Sequence, residues 1–342
     1  MKSNFNYFED FQVGQEGKAE RPIAARTVTS ADICNFAWIT NDYSREHVNQ
    51  HYMANSIYSR RVAHGLLGTS LITGFLSLNS PQQLGRNVPG AYFYSFEVNY
   101  RDAIRMDDTV SLNWQVAETS DDPEHQGYGR VKTAFQLLNQ DARPIYDGAV
   151  VTLVRKKSAP DARLDLKPGT PWEPVPEFVP EPGKPYCVED LPVGAGGETE
   201  GRTITEADIV NFAGLTGDWD PVYMDADSAA RGLFGQRIAH GILVFNAAQG
   251  AWTRHFNKTL WPETGFAGHL WDKVTFLRPV MIGDTIRCRY RTGTTRVSRS
   301  KPEVGLVTTE SQTVNQRDEV VQEAAVLHMV ASKEGARKSG AI

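Results

Sequence analysis

The sequence contains one pattern twice, with a constant separation of 176 residues. The segment TVTSADICNFA at 27–37 returns as TITEADIVNFA at 203–213. Three further pairs keep the same separation: Asp42 with Asp218, RVAHG at 61–65 with RIAHG at 237–241, and DTV at 108–110 with DTI at 284–286. Solenoid repeats recur about every 20 to 50 residues, so a much longer constant separation indicates two copies of one domain.

The two copies differ five residues after the shared aspartate. The first copy has His47 at this position and the second has Tyr223. A histidine side chain titrates near pH 6.5, whereas a tyrosine hydroxyl titrates near about pH 10. The difference predicts that only the first copy carries out acid–base chemistry.

Length and proline content divide the chain. At 342 residues it has room for two domains of ordinary size. Eight of its 18 prolines lie between Pro160 and Pro185, and such a stretch favours an extended path. We predict an N-terminal catalytic domain over 1–158, a proline-rich linker over 159–185, a degenerate C-terminal domain over 186–332 and a flexible tail over 333–342.

Composition and cysteine usage exclude several classes of protein. The formal net charge of −5 gives no general attraction for nucleic acid. Cys34, Cys187 and Cys288 are widely spaced and form no metal-binding motif, which favours a reducing compartment. The sequence also contains neither a signal-peptide core nor an apolar run long enough to span a bilayer. We predict a cytoplasmic protein with no metal, nucleic-acid or membrane partner.

The same order of secondary-structure signals occurs in each copy. Thr29 with Asp32, and Thr205 with Asp208, have the spacing of a helix-capping box. Each His-Gly pair then opens an apolar helix, predicted over 66–78 and 242–252. Strand-like runs follow at 91–100, 109–117, 129–138 and 145–155, and near 270–276, 284–290, 303–314 and 320–329. This order indicates an α+β fold in which an antiparallel sheet wraps around a helix.

The segment NDYSREH at 41–47, followed by RVAHG, resembles the hydratase motif of the MaoC-like, R-specific enoyl-CoA hydratase family. In that family Gly-Asp-x-Asn-Pro-x-His precedes a His-Gly that opens the central helix of a hotdog fold. The first copy has Asn41, Ser44 and Arg45 where the family has Gly, Asn and Pro, and the second copy lacks the final His. The resemblance implies a tandem, or double, hotdog and is strongest to the mesaconyl-CoA hydratases, also called β-methylmalyl-CoA dehydratases.

The resemblance also implies a catalytic set of Asp42, His47 and Gly65. Asp42 and His47 would hold a water molecule between them, and Gly65 would offer its backbone N–H to the thioester oxygen. A carboxylate and an imidazole are suited to the proton transfers of hydration, and a helix N-terminus is suited to a developing negative charge. This chemistry needs no cofactor, because CoA enters as part of the acyl-CoA substrate.

The expected reaction is the reversible hydration of mesaconyl-CoA to β-methylmalyl-CoA. Arg45 or Arg60 would suit the distal carboxylate of such a substrate, and a solvated role stays open for both. His64 is a further substrate-binding candidate, although its presence in both copies also fits a structural role at the helix entrance. The alternatives are a straight-chain (R)-specific 2-enoyl-CoA hydratase, a hotdog thioesterase and a non-catalytic acyl-CoA-binding subunit. The two copies would form a pseudo-dimer within one chain, and association into a homodimer is left open.

Overall fold

The computed structural model describes residues 6–17, 25–54, 58–79, 90–178, 181, 184, 186–257, 268–340 and 342. In each half a long helix lies against antiparallel strands, so the predicted α+β architecture is confirmed.

The first half begins with a 3₁₀ helix at Phe8–Asp10. Its α-helices are α1 (Ser30–Thr40), α2 (Arg45–Val48), α3 (Gln50–Ala54) and α4 (Gly65–Asn79). Its strands are β1 (Glu16–Gly17), β2 (Ala25–Thr27), β3 (Tyr92–Tyr100), β4 (Thr109–Asp121), β5 (Tyr128–Leu138) and β6 (Pro144–Arg155).

The second half repeats this order, beginning with a 3₁₀ helix at Val188–Asp190. Its α-helices are α5 (Glu206–Thr216), α6 (Pro221–Met224), α7 (Ala226–Ala230), α8 (Gly241–Asn257) and α9 (Lys333–Ser339). Its strands are β7 (Gly196–Glu198), β8 (Arg202–Thr203), β9 (Gly268–Phe276), β10 (Thr285–Val297), β11 (Val304–Val314) and β12 (Val320–Ala331). Strands β4 and β10 run further than predicted, because their far ends are largely polar and lack the apolar alternation of a half-buried strand.

The strands of both halves join into one antiparallel sheet. The order along it is β1-β4-β5-β6-β3-β9-β12-β11-β10-β7, with β2 paired to β4 and β8 paired to β10. The two halves meet where β3 pairs with β9, with Ser95 opposite Thr275 and Asn99 opposite Trp271. This junction brings side chains of the second half close to the helix entrance of the first.

The central helices α4 and α8 are buried against the sheet and against each other. Residues 66–76 of α4 are all buried, as expected for a helix that is apolar on nearly every side. The two helices share a polar contact in which the side-chain amide of Asn246 donates to the hydroxyl of Ser70 at 2.7 Å. The helix pair therefore forms the centre of the pseudo-dimer.

The predicted capping boxes are confirmed in both halves. The Thr29 hydroxyl accepts from the Asp32 amide at 3.3 Å, and Thr205 and Asp208 repeat this contact at the same distance. Helix α1 is followed by Asn41 with φ 64°, and α5 by Gly217 with φ 82°. Asparagine adopts this left-handed conformation more readily than most residues, which explains how Asn41 takes the place of the family's glycine.

Two glycines allow each central helix to approach the other half closely. A methyl group added at Gly74 would overlap the carbonyl oxygen of Thr216, and one added at Gly250 would overlap that of Thr40. Thr40 and Thr216 come two residues before the shared aspartates. The close approach therefore fixes the position of both aspartate loops.

Gly74→Ala is expected to lower the free energy of unfolding by about 1–3 kcal/mol, because the methyl group must displace backbone of the other half. Gly214 in α5 is the control, since an added methyl group would meet no atom within 4 Å. Gly214→Ala is expected to stabilise by about 0.5–1 kcal/mol through its higher helix propensity. Urea unfolding measures both variants, and equal effects would contradict the close contact at Gly74.

The proline-rich segment contacts the first half at Ala162, whose carbonyl oxygen accepts from the Tyr128 hydroxyl at 3.3 Å, and the second half at Thr170. Its described residues contain no helix, and the amide of Gln312 donates to the carbonyl oxygen of Thr170 at 2.6 Å.

The segment 333–342 corrects the expectation of a flexible tail, because α9 occupies most of it. The Ser332 hydroxyl caps this helix by accepting from the Gly335 amide at 3.1 Å, and Ala336 is fully buried. Small and charged residues suggested fraying, but the cap and one buried alanine hold the helix in place.

Candidate active site

Asp42 lies directly after the left-handed residue that ends α1. One of its carboxylate oxygens accepts from the Ser44 amide at 3.1 Å and from the Ser44 hydroxyl at 2.5 Å. Burial acts to raise the pKa of Asp42, but the attraction of the His64 and His47 rings in their protonated forms and the two bonds from Ser44 outweigh it and hold the pKa below 3.8. Asp42 is therefore an ionised carboxylate at neutral pH, and its donor is Ser44, which stands where the family motif has asparagine.

His47 lies in the short helix α2, and its ring is fixed on two sides. Nδ1 lies 2.9 Å from the carbonyl oxygen of Val62, and the ring stacks on that of His64 with centroids 3.7 Å apart. Because a carbonyl can only accept, Nδ1 carries the proton in the neutral ring. The lone pair of Nε2 is then left for a proton from another molecule.

His64 connects the helix entrance to the aspartate loop. Its Nε2 donates to the backbone carbonyl of Asp42 at 2.9 Å, and His240 makes the same bond to Asp218 at 3.0 Å. Burial lowers the pKa of His64 to about 3 and that of His240 to about 4, so both rings are neutral at neutral pH. The shared geometry favours the structural alternative for His64, which positions Asp42 through its backbone.

The three side chains converge on one point. A carboxylate oxygen of Asp42 and ring nitrogens of His47 and His64 lie within 4.8 Å of one another. A gap of this size is spanned by one water molecule with two hydrogen bonds. The same donor set has the spacing of a metal site, so the expected absence of a metal stays a prediction.

A second described cluster with metal-ligand spacing contains Asp122, Glu124 and His125. Asp122 already accepts from the amides of Glu124 and His125 and from the guanidinium of Arg130. These bonds occupy both carboxylate oxygens and indicate a structural turn.

Gly65 is the first residue of α4, where backbone N–H groups have no partner within the helix. The ring of Tyr100 packs against it, and a methyl group added at Gly65 would lie 3.1 Å from that ring. Glycine thus leaves a narrow space between the helix start and β3. This space adjoins His64 and places the helix N-terminus beside the Asp42–His47 pair.

The two predicted arginines lie away from this pair. Arg45 is exposed and its guanidinium lies over the ring of Tyr52 at 5.0 Å, while Arg60 is exposed and donates to the carbonyl oxygen of Met106 at 3.0 Å. Residues two apart on a helix face different directions, so the orientation of His47 toward Asp42 turns Arg45 toward solvent. The structure does not bring Arg45 or Arg60 to the candidate site.

Sequence reasoning missed a polar wall on the opposite side of the site. The Tyr100 hydroxyl donates to one oxygen of Asp272 at 2.5 Å, and Nδ1 of His269 lies 2.8 Å from the other. The ring of His328 lies 4.8 Å from that of His269 and stacks on Trp252 at 4.6 Å. Apart from Tyr100, these residues come from the second half.

The internal repeat contained a signal for this wall. The residues at the same separation of 176 are Phe276 for Tyr100, Phe93 for His269, Phe96 for Asp272 and Thr152 for His328. Three aromatic hydrocarbons therefore stand where the first site has a phenol, an imidazole and a carboxylate. Comparing the strands as well as the motifs would have identified these positions.

The second copy of the site keeps the geometry without the base. Tyr223 stacks on His240 with centroids 3.8 Å apart and an interplanar angle of 29°, the same angle as between His47 and His64. A cavity of 460 Å³ adjoins Tyr223 and is lined by aromatic side chains that include Phe93 and Phe276. Asp218 is buried and one of its oxygens has no hydrogen-bond partner.

Burial raises the pKa of Asp218 to about 7. Between pH 3.8 and 7 the folded protein keeps this proton while the unfolded chain releases it, so Asp218 makes stability fall as pH rises through that range. Asp218→Asn is expected to remove this part of the fall, seen as a smaller difference in Tm between pH 5 and pH 8. An unchanged pH dependence would contradict the assignment.

Comparison with known proteins identifies the family. Residues 11–134 and 192–315 match the MaoC-like domain family. The chain belongs to this family. MaoC-like relatives include the 3-hydroxybutyryl-CoA dehydratase of Methylorubrum extorquens, 32% identical over 155 residues that cover 45% of this chain and 88% of the relative. The (R)-specific enoyl-CoA hydratase of Rhodospirillum rubrum is 30% identical over 106 residues, covering 31% of this chain and 66% of the relative.

Solved structures support the predicted double hotdog. A putative MaoC-domain dehydratase from Chloroflexus aurantiacus has a TM-score of 0.74 at 18% identity, covering 97% of this chain and 99% of the other. A Mycobacterium tuberculosis protein described as a double hotdog has a TM-score of 0.68 at 15% identity, with the same coverage. The tandem hotdog prediction is confirmed, and MaoC-like membership makes the protein a hydro-lyase of the hydratase/dehydratase type.

Among the described residues of this MaoC-like chain, no helix is both long and apolar enough to cross a membrane.

Proposed function

We propose that this MaoC-like protein reversibly hydrates a 2-enoyl-CoA, and that its substrate is mesaconyl-CoA, which gives β-methylmalyl-CoA. The observation that carries the proposal is the convergence of the Asp42 carboxylate and the His47 ring within 4.8 Å, beside the start of α4. The names of the two curated relatives support the reaction type.

In the proposed reaction, a water molecule lies between Asp42 and His47. The Asp42 carboxylate accepts one hydrogen bond and orients the water, while Nε2 of His47 removes a proton as the oxygen bonds to C3 of the substrate. The electron pair of the double bond moves toward the thioester oxygen, where the Gly65 N–H and the helix dipole stabilise the enolate. The proton held by the pair then passes to C2, so that the elements of water are added overall.

These steps need only a carboxylate, an imidazole and a backbone donor. We therefore propose that the protein uses no cofactor, with CoA entering as part of the substrate. The retained pair of Asp42 and His47 argues against a non-catalytic binding subunit, which has no use for a base.

The straight-chain 2-enoyl-CoA hydratase is the second candidate. The names of the two relatives favour it, because neither refers to a dicarboxylic acyl group. The polar wall of Tyr100, His269 and Asp272 favours mesaconyl-CoA instead, since an apolar acyl chain gains nothing from buried charges.

An ultraviolet assay separates the candidates by following loss of the conjugated thioester with mesaconyl-CoA and with crotonyl-CoA. Rapid loss with mesaconyl-CoA supports the proposed substrate. Faster loss with crotonyl-CoA would retain the hydratase chemistry and replace the substrate. Loss of absorbance with stoichiometric release of free CoA thiol would favour the thioesterase alternative.

A further inference from the structure

We propose that His269, held by Asp272, binds a carboxylate on the acyl part of the substrate and so sets specificity for dicarboxylic 2-enoyl thioesters. The inference rests on the proposed function and assigns part of the same site to the second half of the chain. It also replaces Arg45 and Arg60 as the groups expected to meet a distal carboxylate.

His269 lies beside the catalytic site of the first half. Its ring centroid lies 5.8 Å from that of Tyr100, which packs against Gly65. Phe93, the counterpart of His269, lines a pocket together with Asp218 and Tyr223. The pseudo-symmetry therefore places His269 across from Asp42 and His47.

The catalytic site is separate from its degenerate counterpart. Gly65 begins α4 beside Tyr100, whereas Gly74 lies nine residues later against Thr216 and the loop of Asp218. A helix rises about 1.5 Å per residue, which separates the two positions by roughly 13 Å along the axis. A ligand held by His269 thus belongs to the site that contains the base.

One ring nitrogen of His269 is bound by Asp272 and the other, Nε2, is available to a ligand. Nδ1 donates to the Asp272 carboxylate, with both oxygens within 3.0 Å, and one of these oxygens also accepts from the Tyr100 hydroxyl. Within the described part of the chain, Nε2 has no hydrogen-bond partner, and the His269 side chain keeps 17% of its surface exposed. The dyad therefore fixes the ring and leaves Nε2 for a ligand, as an N–H donor when the ring is protonated.

The surroundings of His269 favour the protonated, positively charged form of its ring. Burial opposes protonation of His269, but the Asp272 carboxylate and its hydrogen bond outweigh burial, with a further contribution from Asp42, and hold the pKa above 6.5. The other titratable groups facing the ring are the Tyr100 hydroxyl, with a raised pKa, and His328, whose pKa burial lowers well below 6.5. A cation with one unused N–H forms a charge-assisted bond to a carboxylate.

The degenerate site lacks this dyad, because Phe93 and Phe96 occupy the positions equivalent to His269 and Asp272. A buried ion pair generally stabilises a fold no more than well-packed apolar side chains of similar volume do. The degenerate site shows that this fold accepts apolar side chains at the equivalent positions. The retained dyad is therefore best explained by recognition of a charged ligand.

His269→Phe tests the inference with the residue that the chain itself uses at the equivalent position. We expect kcat/KM for mesaconyl-CoA to fall about 10- to 100-fold, mainly through KM, as for loss of a hydrogen bond between charged groups. The value of kcat/KM for crotonyl-CoA is expected to change less than about threefold, because this substrate has no distal carboxylate for His269 to bind. Equal loss with both substrates, or no loss with mesaconyl-CoA, would overturn the inference. Phe93→His in the degenerate half is the matched control and is expected to change neither value.

A binding measurement tests the carboxylate role of His269 without relying on turnover. Two variants at this position are used, so that the result does not depend on the folding of one of them. Calorimetry is performed with succinyl-CoA and butyryl-CoA, which lack the double bond, on the full chain and on His269→Phe and His269→Gln. We expect succinyl-CoA binding to weaken in His269→Phe, and to weaken in the unmodified protein as pH rises through the pKa of His269, while butyryl-CoA binding stays constant.

The two proposals fail in different ways. Binding of succinyl-CoA that is insensitive to His269 and to pH would overturn the carboxylate role, even if crotonyl-CoA is hydrated normally. Selective binding of succinyl-CoA through His269, with no hydration of either enoyl-CoA, would support the carboxylate role and overturn the proposed reaction.

Discussion

Asp42→Asn is expected to lower kcat by about 10²- to 10⁴-fold, the range of a lost acid–base group. Asparagine has nearly the same size and keeps an oxygen for the bonds that Ser44 donates to Asp42. It loses the negative charge that orients the water and supports proton transfer to His47. The ultraviolet assay with saturating enoyl-CoA measures the effect.

Asp218→Asn provides the matched control for this prediction. Asp218 occupies the same position in the second half, where Tyr223 replaces the base, and the variant is expected to keep kcat within about twofold because acid–base catalysis requires both partners. A similar loss of activity in both variants would show that the aspartates act through the fold. Full activity of Asp42→Asn would contradict its catalytic role.

His47→Tyr is expected to cause a comparable loss, about 10²- to 10⁴-fold in kcat. The second half shows that tyrosine fits this position, since Tyr223 stacks on its histidine at 3.8 Å and 29°. The phenol titrates near about pH 10 and offers no basic nitrogen at neutral pH. Folding is therefore expected to survive while proton transfer is lost.

Near-ultraviolet circular dichroism and Tm serve as the controls for His47→Tyr. Values close to those of the unmodified protein, together with the loss of kcat, would assign the effect to chemistry. Retention of more than about a tenth of the activity would contradict His47 as the base, given the usual size of such effects.

The internal repeat explains why much of the fold could be predicted. Each capping box and each His-Gly pair is a local signal, and the same signal in two copies defines helix starts that the structure confirms at Ser30, Glu206, Gly65 and Gly241. The Asp42–His47 pair was predicted from the resemblance of residues 41–47 to the hydratase motif, which is a local sequence signal.

The polar wall could not be predicted from local sequence. His269 and Asp272 lie more than 200 residues after Asp42 and reach its site only through the pairing of β3 with β9. Arg45 shows the opposite problem, since it is close to His47 in sequence but directed to solvent by the turn of α2. Proximity in the chain identified the base, whereas the opposite wall depends on packing between the halves.

Incubation of the protein with mesaconyl-CoA or crotonyl-CoA in ¹⁸O-labelled water, followed by mass spectrometry, shows whether the protein adds water across the double bond. We expect one ¹⁸O atom in the C3 hydroxyl group of a product still joined to CoA, formed about 10²- to 10⁴-fold more slowly by Asp42→Asn. Label in a free carboxylate, together with release of the CoA thiol, would show that the protein hydrolyses the thioester and is not a hydratase.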